Sequence, residues 1–423
     1  MKTILINIKE IVQTERGAPV LLRRGEAMSG MDNIHDGYII INGSEIEEFG
    51  EMSSLLEEQT TGAKIIDATG RMVLPAFCDS HTHLVYAGSR EMEYIDKIRG
   101  LSYQEIASKG GGILNSAALL HRTSEEELLR QTLDRAWEII GFGTGAVEIK
   151  SGYGLTTDDE LKILRVSRRV GEETPLTVRT TFLGAHAVPQ RYKDRTEEYV
   201  DEIIEEMIPV VAAEGLADYI DVFTEQGFFS VEDTDRIFAE GVKYGLIPKV
   251  HANQMSFSGG VQVGVKHNAI SVDHLEFTSD AEFDEIKNSN TMATLLPGST
   301  FFLEMEYAPA RKMIERGLAV AIATNYNPGS SPSGDMKFMM SLAALKMKLT
   351  PRELINATTI NGAYAMGLSE SHGTIAKGKR ANLILTKPVP SLEFIPYAIT
   401  TPLVEKMFLN GKEVDFREKR IID

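Results

Sequence analysis

At both ends of the chain, short apolar runs stand between turn residues. Tyr38-Ile39-Ile40-Ile41 runs into Asn42-Gly43, and Glu405-Lys406-Met407-Phe408-Leu409 runs into Asn410-Gly411. An Asn-Gly pair after an extended run tolerates the positive φ angles of a tight turn, so each predicts a β-hairpin. Met1-Lys2-Thr3-Ile4-Leu5-Ile6-Asn7, Ile65-Ile66-Asp67-Ala68-Thr69-Gly70 and Ala381-Asn382-Leu383-Ile384-Leu385 have the same strand-and-turn character. Residues 1–70 and 371–423 therefore predict one small β-sandwich-like domain assembled from both termini.

Between them the period changes. Strand-like runs recur at Gly145–Ile149, Leu176–Thr181, Tyr219–Phe223, Ile247–Val250, Ala269–Val272, Thr291–Leu296 and Ala319–Ala323. Segments of helical period separate them; Glu125 through Ile140 and Asp201 through Val211 each place apolar residues on one face. Repeated strand-then-helix units over residues 71–370 predict an α/β fold, a (β/α)8 TIM-type barrel. A doubly wound open sheet is the alternative. It is weakened because no glycine-rich nucleotide fingerprint follows the first middle strand.

Charge narrows the partners. With 61 acidic against 44 basic residues, a net charge of -17, the surface repels the phosphate backbone of nucleic acid. A small anionic substrate is still compatible, since one local arginine sets the field in a cleft. Cys78 is the single cysteine, so no intramolecular disulfide can form. It sits one step from the strand end and reads as core. The N-terminus is too briefly apolar for a signal peptide, and no run approaches the roughly 20 apolar residues of a membrane span. The expectation is a cytoplasmic protein with no membrane segment.

A barrel carries its chemistry at the C-terminal ends of its strands, and the residues there are distinctive. After Arg71-Met72-Val73-Leu74 comes Pro75-Ala76-Phe77-Cys78-Asp79-Ser80-His81-Thr82-His83. Two histidines one residue apart on an extended segment point the same way and can reach one cation. Later strand ends carry Lys150-Ser151-Gly152-Tyr153-Gly154, Phe182-Leu183-Gly184-Ala185-His186, His251-Ala252-Asn253-Gln254, Asp273-His274 and Thr324-Asn325-Tyr326-Asn327-Pro328-Gly329-Ser330-Ser331. Six of the nine histidines gather there, counting His267 in the turn before its strand. His35, His121 and His372 read as solvated loop residues. A lone strand-end histidine is commonly structural; several on one rim call for a metal or a catalytic site.

These pieces, in this order and over nearly the whole chain, resemble the amidohydrolase superfamily. Within it they resemble the imidazolonepropionase family, cyclic amidohydrolases of histidine degradation. The resemblance rests on His81 through Glu91, Gly110-Gly111-Gly112-Ile113, Glu148 through Leu155, Phe182 through His186, Val272-Asp273-His274-Leu275-Glu276 and Asn327 through Pro332. It implies hydrolytic opening of the 4-imidazolone-5-propanoate ring to N-formimidoyl-L-glutamate by a metal-activated water. It implies one Zn²⁺ or Fe ion per subunit, held by His81, His83 and His251 with residue 325 as a further ligand. It implies His274 as acid/base or oxyanion stabiliser, and Arg90, Tyr103, Tyr153, His186, Asn327, Gly329 and Ser330 around the substrate. Arg90 suits a bidentate grip on a carboxylate, and backbone N–H groups of the Gly329-Ser330 loop could form an anion nest. Arg90-Glu91 has a plainer reading as a surface ion pair. In two-metal relatives a strand-end lysine is carboxylated and bridges the ions; with one metal implied, Lys150 reads as a structural cation or one behind the metal ligands. Fold-level analogy alone suggests a homodimer.

Two positions depart from the family's pattern. Asn325 stands where the superfamily carries an aspartate that ligates metal and carries protons. Gln254 stands where the family commonly has a glutamate that orients or deprotonates water. An amide can accept a hydrogen bond but takes no proton at neutral pH. Three readings follow: an active enzyme with Gln254 and Asn325 in amide-modified catalytic roles, a related cyclic amidohydrolase with another anionic substrate, or a catalytically impaired, ligand-binding descendant.

Overall fold

The computed structural model describes residues 2–101, 105 and 111–422. Tyr103 and Gly110 lie outside the described residues. Eight parallel strands follow one another around a barrel: β1 (Phe77–Thr82), β2 (Thr144–Lys150), β3 (Thr177–Ala185), β4 (Tyr219–Thr224), β5 (Ile247–Ala252), β6 (Ser271–His274), β7 (Met292–Leu295) and β8 (Val320–Ile322). The first and last meet through Asn325 N–H to the His81 carbonyl at 2.9 Å and His83 N–H to the Tyr326 carbonyl at 3.0 Å. The closing contacts therefore run through residues at and just beyond the C-terminal ends of β1 and β8. All seven middle strands expected from the apolar runs form, and Glu125–Gly141 is the expected amphipathic helix.

Helix starts are set locally. Ser124, Thr156, Ser230, Ser279 and Thr350 each accept a backbone N–H of the first turn through the side chain, satisfying donors the helix cannot. The segment expected to be helical over Asp201–Val211 lies in one helical run. Its middle, Ile203–Met207, is wound as a π turn just before Pro209, which has no N–H for the regular ladder. At the other end of the barrel, helix Ile360–Ala365 packs directly on β1: a Cβ on Gly362 would stand 2.2 Å from the Cys78 carbonyl oxygen. Cys78 is buried there, and burial pushes its thiol up to about 12.

Outside the barrel lies a nine-stranded sheet drawn from both termini. Its halves join where Met72–Pro75 pairs in parallel with Thr3–Ile11 on one side and antiparallel with Leu383–Thr386 on the other. Both Asn-Gly hairpins form, Ile34–Asn42 with Glu45–Glu51 and Val404–Leu409 with Lys412–Asp415. Its core is aliphatic, with Leu5, Ile8, Ile39, Ile41, Val73, Leu383 and Phe408 buried together. One element differs from the expectation. The apolar run Met72–Leu74 predicts the start of the barrel at residue 71, but it is a strand of the outer sheet. The chain changes sheets within one residue: Ala76 N–H donates to Asn382 and Phe77 N–H to Gly143. Both runs are apolar because both are buried, so hydropathy gives no sign of the switch. Among the described residues, no helix is long and apolar enough to cross a membrane.

Candidate functional site

Five histidines from four barrel strands converge at the C-terminal mouth of the barrel. His81 is the penultimate residue of β1 with His83 just beyond the strand, His186 follows β3, His251 lies on β5 and His274 closes β6. All five are buried. Ring centroids are 4.5 Å apart for His81 and His251, 5.4 Å for His251 and His274, and 4.9 Å for His83 and His186, which stack. Donor atoms fall into two overlapping groups, each within 4.8 Å: His81, His251 and His274, and His83, His186 and His251.

Four of the five rings are fixed by the second nitrogen. His81 Nδ1 bonds Asp273 Oδ2 at 2.6 Å, and His251 Nδ1 bonds Asp221 Oδ2 at 3.0 Å. His83 Nδ1 faces the Ser151 carbonyl at 3.3 Å and His186 Nδ1 the Gly152 carbonyl at 3.0 Å. The Nε2 atoms of His81 and His251 are buried with no hydrogen-bond partner among the described residues. Buried polar atoms are rarely left unpaired. A carboxylate behind Nδ1 with a bare Nε2 in front is the arrangement that presents imidazole to a divalent cation. The residues present thus fit a bound metal. Burial also holds all four of these imidazoles below their ordinary value, His186 down to about 3, so they are neutral and ligand-ready at neutral pH.

Beneath the histidines lies a buried charge network. Lys150 Nζ bonds Glu148 Oε1 at 2.6 Å and Asp221 Oδ2 at 2.8 Å, and lies 3.6 Å from Asp273 Oδ2. One ammonium thus sits between the two carboxylates that orient His81 and His251. Burial opposes its charge, but Asp221, Glu148 and Asp273 together raise its pKa. Lys249 pairs with the other Glu148 oxygen and reaches the Ala365 carbonyl at 3.0 Å. Lys150 is therefore an ion-paired structural cation. Sequence reasoning assigned no role to Asp221, Asp273, Glu148 or Lys249. The available signal was a single charge inside each apolar run, as in Ile220-Asp221-Val222 and Val147-Glu148-Ile149.

The histidines open into a cavity of about 420 Å³ that is also lined by Arg90, Tyr153, Gln254, Asn325, Asn327, Gly329 and Ser330. Arg90 is no surface ion-pair residue. It is buried, Nε donates to Ser116 Oγ at 2.8 Å, and the guanidinium carbon is 5.5 Å from the Tyr153 ring centre. Its Nη2 has no partner among the described residues. Glu91 instead accepts from the Ser89 hydroxyl. A Cβ on Gly329 would stand 2.1 Å from Arg90 Nη1, so the loop lies flat on the guanidinium.

That loop is not an anion nest. The N–H groups of Gly329 and Ser330 both donate to Asn327 Oδ1 at 2.8 Å; an Asn side chain closing its own turn has used them up. Asn327 Nδ2 donates to the Asn325 carbonyl at 2.6 Å and to Asn325 Oδ1 at 3.1 Å. Asn325 itself is buried with φ of 51°. Asn253, beside Gln254, needs its amide: Nδ2 donates to the Phe277 carbonyl at 2.7 Å while Oδ1 accepts from Ser258. Glu225 accepts the Met255 N–H at 2.9 Å and a Ser256 hydroxyl bond, fixing the turn that carries Gln254.

The remaining histidines lie elsewhere. His267 caps a helix and bonds Asp235 at 2.7 Å, away from the rim group. His372 is buried between Thr177 and Ser371 rather than solvated, because the C-terminal chain folds back over it. His121 is on helix Ile113–Arg122 and His35 on strand Ile34–Asn42, so neither is in a loop.

Known proteins share this chain's sequence and architecture. A model of the amidohydrolase family matches residues 230–414. The imidazolonepropionase of Flavobacterium johnsoniae is 51% identical over 412 residues, 97% of this chain and 100% of the relative. That of Thermoanaerobacter pseudethanolicus is 39% identical, covering 93% of each chain. Among solved structures, Escherichia coli guanine deaminase superposes with a TM-score of 0.75 at 12% identity, covering 98% of this chain and 99% of that one. An atrazine chlorohydrolase mutant from Arthrobacter aurescens, complexed with zinc and atraton, superposes with a TM-score of 0.70 at 14% identity, covering 99% and 98%. At such identities these structures establish the fold alone.

Proposed function

The chain belongs to the imidazolonepropionase family of amidohydrolases, and from that premise we propose how its own residues open the imidazolone ring. It is a hydrolase of a cyclic C–N bond: water adds to the ring carbonyl of 4-imidazolone-5-propanoate, the ring C–N bond breaks, and N-formimidoyl-L-glutamate leaves. His81, His83 and His251, although neither donor-atom group contains all three, would hold one Zn²⁺ or Fe ion, with Asn325 as a weak oxygen ligand. Such an ion acts as a Lewis acid and lowers the pKa of water towards about 7.

The protein supplies the rest. Asp273 and Asp221 fix the two imidazoles, and Lys150 ties those carboxylates together. Arg90 takes the propionate carboxylate, with the loop of Asn327, Gly329 and Ser330 holding the guanidinium from behind. Tyr153 and His186 wall the ring. His274 takes a proton from the attacking water and returns it to the departing ring nitrogen. Gln254, with no proton to exchange, orients water by hydrogen bonding.

The observation that carries this reading is the pairing, in one cavity, of carboxylate-anchored His251, whose Nε2 is bare, with a buried Arg90 nitrogen that has no partner among the described residues. One half answers a cation, the other a substrate carboxylate. The test is substrate choice: the protein is incubated with 4-imidazolone-5-propanoate and with a neutral five-membered cyclic amide. Formimidoylglutamate formed from the first, with the second untouched, is expected. Turnover of the neutral amide alone would contradict it.

A further inference from the structure

Gln254 and Asn325 take no proton at neutral pH, so acid–base work falls on His274, and what holds that imidazole becomes the question. A carboxylate lies beside it. Glu276, two residues further on, has a side chain only 2% exposed. Its Oε1 accepts the Thr300 hydroxyl at 2.8 Å. Its Oε2 and His274 Nδ1 are both buried, and neither has a hydrogen-bond partner among the described residues. The two atoms are 3.6 Å apart. That is beyond hydrogen-bond length, yet each is the polar atom the other lacks, and leaving both unpaired costs their full desolvation. Contacts of this kind are often long until substrate binds.

The backbone supports the pairing. His274 and Leu275 have φ of 87° and 66°, a region side-chain-bearing residues seldom adopt. The turn is pinned by Leu275 N–H to Ala252 at 3.1 Å and Phe277 N–H to Asn253 at 2.9 Å. It keeps the Glu276 carboxylate beside the imidazole while His274 lines the cavity.

We propose that Glu276 is a positioning residue that holds His274 in the tautomer with its hydrogen on Nδ1, leaving Nε2 bare as the acceptor. The proposal rests on the reading of His274 as the proton carrier. Glu276→Gln tests it isosterically. Glutamine keeps the Thr300 bond through Oε1 but turns an N–H towards Nδ1, which must then accept, and the hydrogen moves to Nε2. The wrong tautomer abolishes general-base function without moving the ring.

The expected result is a fall in kcat of at least about tenfold, with KM, metal content and melting temperature near those of the parent. A purely structural role would not split kcat from KM. Glu276→Gln added to His274→Asn should cost no more than His274→Asn alone. Parent-like kcat in Glu276→Gln beside an inactive His274→Asn overturns the proposal and spares the reading of His274. Parent-like activity in His274→Asn overturns that reading itself. Should Glu276→Gln not fold, ¹⁵N-histidine NMR of the parent decides, with His274 assigned by the signal lost in His274→Asn. Hydrogen on Nδ1 supports the proposal, and hydrogen on Nε2 overturns it.

Discussion

Asn325 is the residue at which the proposed metal site is most directly tested. It is buried where β8 closes on β1, and Asn327 Nδ2 already donates to its Oδ1. That donor serves a carboxylate equally well, so the pocket accepts a charge there without rearrangement. Asn325→Asp adds a negative oxygen to the cavity that the histidines line. Metal affinity, read by competition with a chelator, is expected to rise at least about tenfold, and kcat/KM with it; unchanged affinity would remove Asn325 from the ligand set. At the opposite wall, Arg90→Lys loses the planar fork and Gly329→Ala drives a methyl group into the guanidinium. Both are expected to raise KM for imidazolonepropionate about tenfold or more with a smaller change in kcat. A matching fall in kcat with KM held would place Arg90 on the reacting atoms instead.

At the scale of strands, five of the barrel strands bury charged side chains, Asp79 on β1, Glu148 and Lys150 on β2, Asp221 on β4, Lys249 on β5 and Asp273 on β6, and the functional side chains stand at the strand ends. The strand-end set was legible in the sequence because it is local: period 2 aims His81 and His83 together, and each rim residue follows its own apolar run. The network behind it was not. Lys150 meets Asp221 and Asp273 only after the barrel closes, across separations of 71 and 123 residues that periodicity cannot register. The loop at Asn327 was misread as a nest for a local reason that was legible: Asn-Pro-Gly-Ser is a self-capping turn. The sheet switch at Ala76 and the burial of His372 were set by tertiary contacts alone. Lys150→Met removes the ammonium from among three buried carboxylates. It is expected to cost about 3–5 kcal/mol of stability, measured by urea unfolding, and to weaken metal binding. A loss under about 1 kcal/mol would show that the network does not depend on it.

The molecule as a whole is poised for neutral pH. Burial holds His81, His83, His186, His251 and His372 below the ordinary imidazole value, His186 at about 3 and His372 at about 4. The unfolded chain protonates all five near 6.5. The folded protein refuses those protons, so this stability is complete above about pH 6.5 and is lost as pH falls towards 4. Asp79, pushed up to about 7 by burial, runs the other way, as do Glu160, Asp273 and Asp335, which burial also raises. The urea midpoint of the metal-free protein is expected to fall between pH 7 and pH 5; a flat or rising midpoint would mean the rim histidines are not buried neutral.

The central claim is that carboxylate-anchored histidines, with amides at 254 and 325, form a working metal-dependent hydrolase. The direct measurement follows imidazolonepropionate in the protein stripped of metal and then reloaded with Zn²⁺ or Fe²⁺. Formation of N-formimidoyl-L-glutamate only after reloading is the predicted result. Failure of both the reloaded protein and its reloaded Asn325→Asp variant to open the ring would contradict the account.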